Sequence, residues 1–485
     1  MSYSTKPDSR EEHPLAVASL EHASKPALRM GTTVDTYSTI FSLAKSLALN
    51  LSKRGLQQGQ IIALGELSAK EMIISIWACL LGGFVAFPMN IRFPVGALAQ
   101  ILKDINPTLV LSESSIPGYE TTPLRALKMT ENENYTSDLP PFDQSTAATL
   151  LMTSGSSGDV KIVQHSYHNH IESAKGSNQN IDIISSDGWV LSLPLYHVGG
   201  VSILFRCALS GASVIIPETH ETTPKDIVEQ SGTHISMVAT QLHRFMQAKT
   251  GPKVLQKMKA ILIGGGVITP VLIQKALDHQ LPIHVSYGST EMASQITTTS
   301  SDNREAALQN SGKILHGRDL IISHEGEILV KGETLAQGYV KHSQLLDLRD
   351  ENGWFHTGDV GFINVHGELT VTGRLDNQFI SGGENIQPEH IERLLFKITG
   401  IDNAIVLPRH DEEFGARPVA FLEFSEEAPR GGAISQQLRN HLPGYMIPIA
   451  YYEIPVGMRE NSLKISRKSL SKLLLTENKH LHSLE

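Results

Sequence analysis

The sequence predicts an α/β protein with a large N-terminal domain of two doubly wound α/β halves plus a small β-barrel-like part, followed by a small C-terminal α+β domain. Short apolar strands alternate with amphipathic helices up to about residue 290, as in parallel sheets covered by helices. Beyond about residue 310, apolar runs between glycine turns indicate short antiparallel strands. A new amphipathic pattern begins at Pro388, so we expect domains at residues 1–375 and 376–485.

The first half begins with a helix that is predicted to end near Gly55. Its apolar positions recur at helical spacing and are Ile40, Leu43, Ala44, Leu47, Ala48 and Leu51. Strands are then expected at 61–64, 84–88 and 109–111, and helices at 70–81 and 95–103. In the second half we expect strands at 188–193, 213–216, 235–238, 260–263 and 283–286, and helices at 201–209, 224–229 and 270–277.

The rest of the chain has a different pattern. Segments 327–332 and 368–373 are typical of short antiparallel strands. In the C-terminal unit, the spacing predicts a helix over 388–398 and strands at 404–407 and 418–424. A hinge is expected near Asp376, at the end of the segment Gly373-Arg374-Leu375-Asp376.

Composition excludes several classes of protein. Of the 485 residues, 40% are hydrophobic and 19% charged, as in a well-cored globular protein. The net charge of −9 argues against nucleic acid or an anionic membrane surface as the main partner. The only cysteines, Cys79 and Cys207, lie in apolar contexts, so neither a disulfide framework nor a cysteine zinc site is expected. Without a signal-peptide core or a run of about 18 apolar residues, we expect a cytoplasmic protein with no stable membrane insertion.

A polar, glycine-rich loop follows the apolar run 150–152. Its candidate phosphate-binding residues are Thr153, Ser154, Gly155, Ser156, Ser157, Gly158 and Lys161. Glycine lets the backbone approach a phosphate closely, while hydroxyl and N–H groups donate to its oxygens. The loop is not a Walker A motif, because two residues rather than four separate its glycines. Taken alone, a loop of serine and glycine is more often a flexible turn than a phosphate-binding site.

Four further segments accompany this loop, and each alone has an ordinary explanation as a cap, a tight turn or a solvated lysine. They are Tyr287-Gly288-Ser289-Thr290-Glu291, the segment 353–359 that ends in Asp359, the segment 373–376, and Leu463-Lys464-Ile465-Ser466-Arg467. Together and in this order, the five resemble the acyl-adenylate-forming superfamily of acyl-CoA ligases, adenylation domains and luciferases. The resemblance extends from about residue 36 to residue 475.

The resemblance implies an ATP-dependent acid–CoA ligase that forms an acyl-AMP intermediate and then a CoA thioester, using ATP, Mg²⁺ and coenzyme A. It implies that loop 153–161 surrounds the β- and γ-phosphates, that Glu291 is a catalytic residue and the ligand of Mg²⁺, and that Lys464 bridges the attacking carboxylate and the α-phosphate. The small domain would swing about Asp376, presenting Lys464 for adenylation and the face near 381–384 for the thiol step. Further implied contacts with the nucleotide are Tyr287, Gly288, Thr290, Asp359 and Arg374, with Gly264, Gly265 and Gly266 along the nucleotide and acyl pockets.

The chain departs from the family pattern at four positions. Ser157 replaces the usual Thr and keeps its hydroxyl, whereas Val160 and Ile162 replace Pro and Gly beside the loop lysine. Leu463 replaces the usual Gly before Lys464. Because the hydroxyl and both charged groups remain, we expect activity, with an altered rate of loop closure.

Several passages resemble the o-succinylbenzoate–CoA ligases of menaquinone biosynthesis; they are 194–200, 205–206, 239–244, 287–295, 380–386 and 413–418. That acid is an aromatic dicarboxylate, so its pocket must hold a second anion. Arg206 lies in an apolar helix, where it either binds the aryl carboxylate or instead snorkels or pairs with a structural acid. Gly265 and Ser294 are the other candidate contacts of the acid.

Two histidine patterns remain open. His197 either caps the helix that follows or, as the resemblance implies, gates the acyl pocket as a catalytic residue. His165, His168 and His170 suggest a metal tract, but we expect surface histidines there rather than zinc ligands. The alternatives to an o-succinylbenzoate ligase are an acyl- or aryl-CoA synthetase for another carboxylic acid and a non-enzymatic homologue. Assembly into a homo-oligomer also stays open.

Overall fold

The structure of the protein is a computed structural model, which describes residues 13–93, 95–127, 139–154, 160–219, 222–266, 268–424, 431–455, 465, 467–475 and 484. Up to residue 290, strands and helices alternate. These elements are α1 (Pro14–Glu21), β1 (Pro26–Met30), β2 (Thr33–Thr36), α2 (Tyr37–Lys53), β3 (Ile61–Leu64), α3 (Ala69–Gly82), β4 (Val85–Pro88), α4 (Val95–Ile105), β5 (Leu109–Leu111), β6 (Ala147–Ser154), β7 (Val160–Ser166), α5 (Tyr167–Asn180), β8 (Gly188–Val190), α6 (Val198–Ser210), β9 (Ser213–Ile215), α7 (Pro224–Glu229), β10 (His234–Met237), α8 (Ala239–Gln247), α9 (Gly251–Leu255), β11 (Ala260–Ile263), α10 (Pro270–Asp278) and β12 (Ile283–Ser289).

Strands dominate the next part, and helices return near the C-terminus. The elements are β13 (Ser294–Thr298), β14 (Lys313–Ile314), β15 (Arg318–Ile322), β16 (Glu327–Gly332), β17 (Gly338–Lys341), β18 (Gln344–Leu346), β19 (Phe355–Ile363), β20 (Leu369–Arg374), β21 (Phe379–Ser381), β22 (Glu384–Ile386), α11 (Pro388–Leu395), β23 (Ile401–Asp411), β24 (Gly415–Phe424), α12 (Gly431–Leu438), β25 (Tyr451–Glu453) and α13 (Arg467–Leu475).

Two large sheets form the N-terminal region. One has the order β18-β17-β7-β6-β4-β3-β5 and the other the order β14-β13-β12-β11-β10-β8-β9-β1-β2. Their central strands are parallel, as predicted, but β7, β17 and β18 in the first sheet and β2, β13 and β14 in the second add antiparallel edges. The strand predicted at 188–193 ends at Val190, and the helix predicted at 201–209 begins earlier, at Val198.

The largest hydrophobic cluster combines side chains of both sheets with helices α2, α3 and α6. Local signals set the ends of these helices. Ser68 and Glu71 form a capping box at the start of α3, and Gly83 and Gly211 end α3 and α6 in the left-handed conformation. Residues Gly200 to Ala208 of α6 are buried, and its apolar side chains belong to this cluster, so Arg206 lies in the interior.

The small part predicted as β-barrel-like contains the antiparallel sheet β15-β16-β19-β20, with its own apolar cluster. After it, the hairpin β21-β22 and the sheet β23-β24-β25 pack with α11, α12 and α13 over two further clusters. The amide of Gln387 donates to the Arg374 carbonyl over 2.9 Å, joining this last unit to β20. The domain boundary at 375/376 stays a prediction. Among the described helices, none has the length and apolar character needed to span a membrane.

Candidate active site

Asp359 lies between two donors. In the antiparallel register of β19 and β20 it faces Arg374, whose Nη1 lies 2.9 Å from Asp359 Oδ1. The hydroxyl of Tyr287, on β12, donates to Asp359 Oδ2 over 2.7 Å. The structure thus brings together three residues that the sequence places about 70 and 15 positions apart. Because an ionised carboxylate accepts about four hydrogen bonds, capacity remains for the hydroxyls of a ligand.

The electrostatics of this group follow from burial. Burial raises the pKa of the Asp359 carboxyl, although Tyr287 and Arg374 act in the opposite direction. Burial and the charge of Asp359 raise the pKa of the Tyr287 phenol far above its usual range, so its hydroxyl stays a donor. Burial lowers the pKa of Arg374, but its hydrogen bond to Asp376 and the two neighbouring carboxylates raise it overall.

A second group surrounds Glu291, the predicted metal ligand. The hydroxyl of Tyr339 donates to Glu291 Oε1 over 2.7 Å, and Lys161 Nζ lies 4.8 Å from the centre of the Tyr339 ring. His165 Nε2 lies 2.7 Å from the carbonyl oxygen of Thr290. Tyr339 could not be predicted as a site residue from the sequence, because its place in the site depends on the pairing of β17 with β7. The local signal for that strand is weak, a glycine at 338 followed by the two β-favouring residues Tyr339 and Val340.

The expectation of surface histidines is wrong for His165 and His170, whose relative exposures are 0% and 2%. His165 lies on β7, and His170 stacks on Phe205 with ring centroids 4.8 Å apart. Burial lowers the pKa of His165 to about 4 and that of His170 well below its usual value, so both rings are neutral. His168 is partly exposed and bonds to Glu333. The buried face of α5 is largely polar, so hydrophobic spacing did not reveal it.

The predicted glycines occupy positions where side chains are restricted. Gly264, Gly265 and Gly266 follow β11, at the carboxyl end of the parallel strands, where ligands bind in open α/β sheets. Gly265 has φ +79°, a conformation that favours glycine. A Cβ at Gly288 would lie 1.9 Å from the Ser294 carbonyl oxygen, so no other residue fits there without movement of the backbone.

Arg206 is a buried cation with neutral partners, at 1% exposure. Its Nη2 donates to Gln295 Oε1 over 2.8 Å and to Ser294 Oγ over 3.3 Å, and its guanidinium lies 5.1 Å from the centre of the Trp189 ring. Nε has no partner among the described residues. Burial, with a smaller effect of nearby Arg318, lowers the pKa of Arg206 to about 9.

The alternative in which Arg206 snorkels or pairs with a structural acid is therefore wrong for the described part of the chain, since burial excludes snorkelling and its hydrogen-bond partners there, Ser294 and Gln295, are neutral. An anion fits the chemistry of this position, because a buried charge without a counter-charge is costly and the Nε–H group can still donate a hydrogen bond.

His197 occupies the N-cap position of α6, but its side chain makes no capping hydrogen bond. It is exposed, and its ring lies 4.7 Å from that of Tyr196. The capping alternative is thus wrong for the side chain, while its role as a gate of the acyl pocket stays a prediction.

Several predicted residues fall outside the described part of the chain: Gly155, Ser156, Ser157, Gly158 and Lys464. Their flanks are described: Thr153 and Ser154 end β6, and Lys161 lies on β7, which pairs antiparallel with β6. Arg467, three residues after Lys464, bonds to both carboxylate oxygens of Glu392 on α11 over 2.7 and 2.8 Å. Asp376 lies in a short 3-10 turn, Leu375–Asn377, directly after β20.

Comparison with known proteins identifies the family of the chain. A family model described as AMP-binding enzyme matches residues 15–340. The 2-succinylbenzoate–CoA ligase of Haemophilus influenzae is 33% identical over 424 residues, which cover 87% of this chain and 88% of that relative. The chain belongs to the AMP-binding enzyme family.

Solved structures of AMP-binding enzymes extend the similarity to the whole fold. The o-succinylbenzoate CoA synthetase (MenE) of Bacillus subtilis, in complex with the acyl-adenylate intermediate OSB-AMP, is 26% identical with a TM-score of 0.85, covering 98% of this chain and 99% of that one. The same B. subtilis protein in complex with ATP and magnesium ion is 26% identical with a TM-score of 0.79, covering 91% and 95%.

Proposed function

We propose that the protein is an AMP-forming o-succinylbenzoate–CoA ligase, which converts o-succinylbenzoate to o-succinylbenzoyl-CoA in menaquinone biosynthesis. The observation that carries the choice of acid is Arg206, a buried guanidinium that donates to neutral groups and whose Nε has no hydrogen-bond partner within the described part of the chain. An aromatic dicarboxylate supplies the missing anion through its aryl carboxylate, leaving the succinyl carboxylate to react. The relatives named 2-succinylbenzoate–CoA ligase support the same acid.

In the first half-reaction, the succinyl carboxylate attacks the α-phosphorus of ATP and pyrophosphate leaves. The Asp359 carboxylate would accept hydrogen bonds from the ribose hydroxyls, while Tyr287 and Arg374 hold that carboxylate in place. Lys161 and the loop 153–158 would donate to the β- and γ-phosphates, and Lys464 would offset the charge that develops between carboxylate and α-phosphate. Glu291, a carboxylate held by Tyr339, suits a Mg²⁺ ion, which when bound supplies positive charge to the phosphates.

In the second half-reaction, the CoA thiol attacks the acyl carbon and AMP leaves. Rotation at Asp376 would withdraw Lys464 and bring the β21-β22 hairpin, with its turn at Gly382 and Gly383, to the site. His197, exposed at the start of α6, would gate access to the acyl group, and Gly265 and Ser294 would line its pocket.

The test is acid-dependent release of AMP by the purified enzyme with ATP, Mg²⁺ and CoA. o-Succinylbenzoate should give the highest kcat/KM among a set that includes benzoate, 3-benzoylpropanoate and medium-chain fatty acids. A higher kcat/KM with one of the other acids would reassign the substrate, and no release of pyrophosphate with any acid would favour a non-enzymatic homologue.

We place the enzyme in the cytoplasm, where ATP and CoA are both supplied, and fractionation of cells that produce the native protein tests this placement. A homo-oligomer is a separate proposal, and light scattering of the purified chain decides between monomer and assembly.

A further inference from the structure

β17 and the residues that lead into it hold Glu291 at two points. The backbone N–H of Ala336 donates to the Glu291 carbonyl oxygen over 2.8 Å. Three residues later, the hydroxyl of Tyr339 donates to Glu291 Oε1 over 2.7 Å. The main chain and the side chain of Glu291 are therefore both fixed by the segment 336–339, which is distant in sequence.

Tyr339 also contacts the lysine at the exit of the phosphate loop. In the antiparallel pairing of β17 with β7, Tyr339 lies opposite Val163, two residues after Lys161. Lys161 Nζ lies 4.8 Å from the centre of the Tyr339 ring, within the range of a cation–π contact. The Tyr339 side chain thus contacts the loop lysine through its aromatic ring and the Glu291 carboxylate through its hydroxyl.

The hydroxyl of Tyr339 is the donor in its contact with Glu291, because the carboxylate oxygen 2.7 Å away can only accept a hydrogen bond. A carboxylate with one hydrogen bond on Oε1 still has lone pairs for a cation. Groups that hold a metal ligand from behind fix its orientation, and their loss commonly costs about 10- to 100-fold in metal affinity.

We propose that Tyr339 is a positioning residue that orients Glu291 for a divalent cation through its hydroxyl and places Lys161 for the phosphates through its ring. The proposal rests on the proposed function, in which Glu291 binds Mg²⁺. The role of the hydroxyl at Glu291 and the role of the ring at Lys161 can be separated, because Tyr339→Phe keeps the ring and removes only the hydroxyl.

The test measures equilibrium binding of ATP by calorimetry without any acid, once with Mg²⁺ and once with EDTA. Tyr339→Phe should weaken binding of Mg·ATP about tenfold and leave binding of metal-free ATP unchanged. Tyr339→Leu, which also removes the ring, should in addition weaken metal-free ATP severalfold. Formation of thioester from supplied acyl-AMP and CoA should stay at the wild-type rate in Tyr339→Phe.

Tyr119→Phe is the matched control, because Tyr119 is a half-buried phenol that packs against a core cluster of the same sheet. It should bind both forms of ATP like the wild type. Equal weakening with Mg²⁺ and with EDTA in Tyr339→Phe, unchanged binding in both, or a common loss of both half-reactions with a lower Tm would overturn the proposal.

Glu291→Gln separates this proposal from the proposed function. If Glu291→Gln removes the gain in affinity that Mg²⁺ gives and Tyr339→Phe does not, only the role of Tyr339 is wrong. If Glu291→Gln keeps that gain, Glu291 is not the metal ligand, and both assignments are wrong.

Discussion

Arg374 and Asp376 form an ion pair across a single residue, with Nε of the arginine 2.9 Å from Oδ1 of the aspartate. The same guanidinium reaches Asp359 from Nη1. The residue expected to bind ribose and the residue expected to act as a hinge are therefore joined through one side chain. A change in backbone torsion at Asp376 would therefore shift the Arg374 side chain and alter its contact with Asp359.

The hinge prediction follows from this geometry. Proline fixes φ near −65°, so we expect Asp376→Pro to trap the adenylating orientation of the C-terminal unit. We expect pyrophosphate release in a single turnover to persist, while thioester formation falls by at least about tenfold, roughly 1.4 kcal/mol. Rapid-quench measurement of each half-reaction gives both rates.

Asp376→Ser is the control, since it removes the ion pair with Arg374 and leaves φ free. It should keep more of the thioester step than the proline variant. Wild-type rates of both half-reactions in Asp376→Pro would mean that the swing occurs elsewhere or is not needed.

Lys464→Ala should affect only the first half-reaction. Loss of one preorganised charge at the transition state typically slows a reaction by about 10²–10³-fold, and we expect this for acyl-AMP formation. Thioester formation from supplied acyl-AMP should continue. Lys472→Ala, on the exposed side of α13, should leave both steps unchanged. An equal loss in both steps for Lys464→Ala would refute its assigned role.

Arg206→Ala and Arg206→Lys should raise KM for o-succinylbenzoate and spare KM for ATP. A charged hydrogen bond contributes about 1.5–3 kcal/mol, so KM should rise about 10- to 100-fold in the alanine variant. Steady-state kinetics should include 3-benzoylpropanoate, which lacks the aryl carboxylate. The wild type should prefer the dicarboxylate, and the variant should lose this preference. A parallel loss for both acids and for ATP would indicate a purely structural role.

The buried His165 predicts a pH dependence of stability. Its pKa is about 4 in the folded chain, against an ordinary value of 6.5, so the unfolded chain binds more protons between these values. The free energy of unfolding should therefore fall as pH decreases from about 6.5 to about 4, by roughly 1.4 kcal/mol per pH unit for this group. Urea denaturation across this range gives the slope.

His165→Gln keeps an N–H donor for the Thr290 carbonyl. It should reduce the slope by the contribution of one titrating proton, roughly 1.4 kcal/mol per pH unit. Other buried histidines, among them His170, contribute the remainder of the slope. An unchanged slope in His165→Gln would show that this ring does not titrate as its burial implies.

Central strands such as β3, β4 and β11 could be predicted because strands buried on both faces are continuous apolar runs. The antiparallel edges could not, because the pairing of β17 with β7 joins segments about 175 residues apart and leaves no local pattern. The pattern of apolar residues therefore predicts where the strands of a sheet lie in the sequence, but not which strands pair with each other.

The candidate site divides in the same way. Asp359, Arg374 and Tyr287 could be identified from motif order, and the structure brings them into contact. Tyr339 depends on a distant strand pairing and was missed. The burial of His165 was also missed, because a histidine on a strand gives no signal of which face it occupies.

The guanidinium of Arg206 also bears on how long the protein survives in a cell. A ligand that binds only the folded chain stabilises it by mass action, and an anion beside a buried cation with neutral partners should do so strongly. Chains without bound acid would unfold more often and would be degraded by proteases sooner. The abundance of the enzyme would then follow the supply of its own substrate, with no regulator between them.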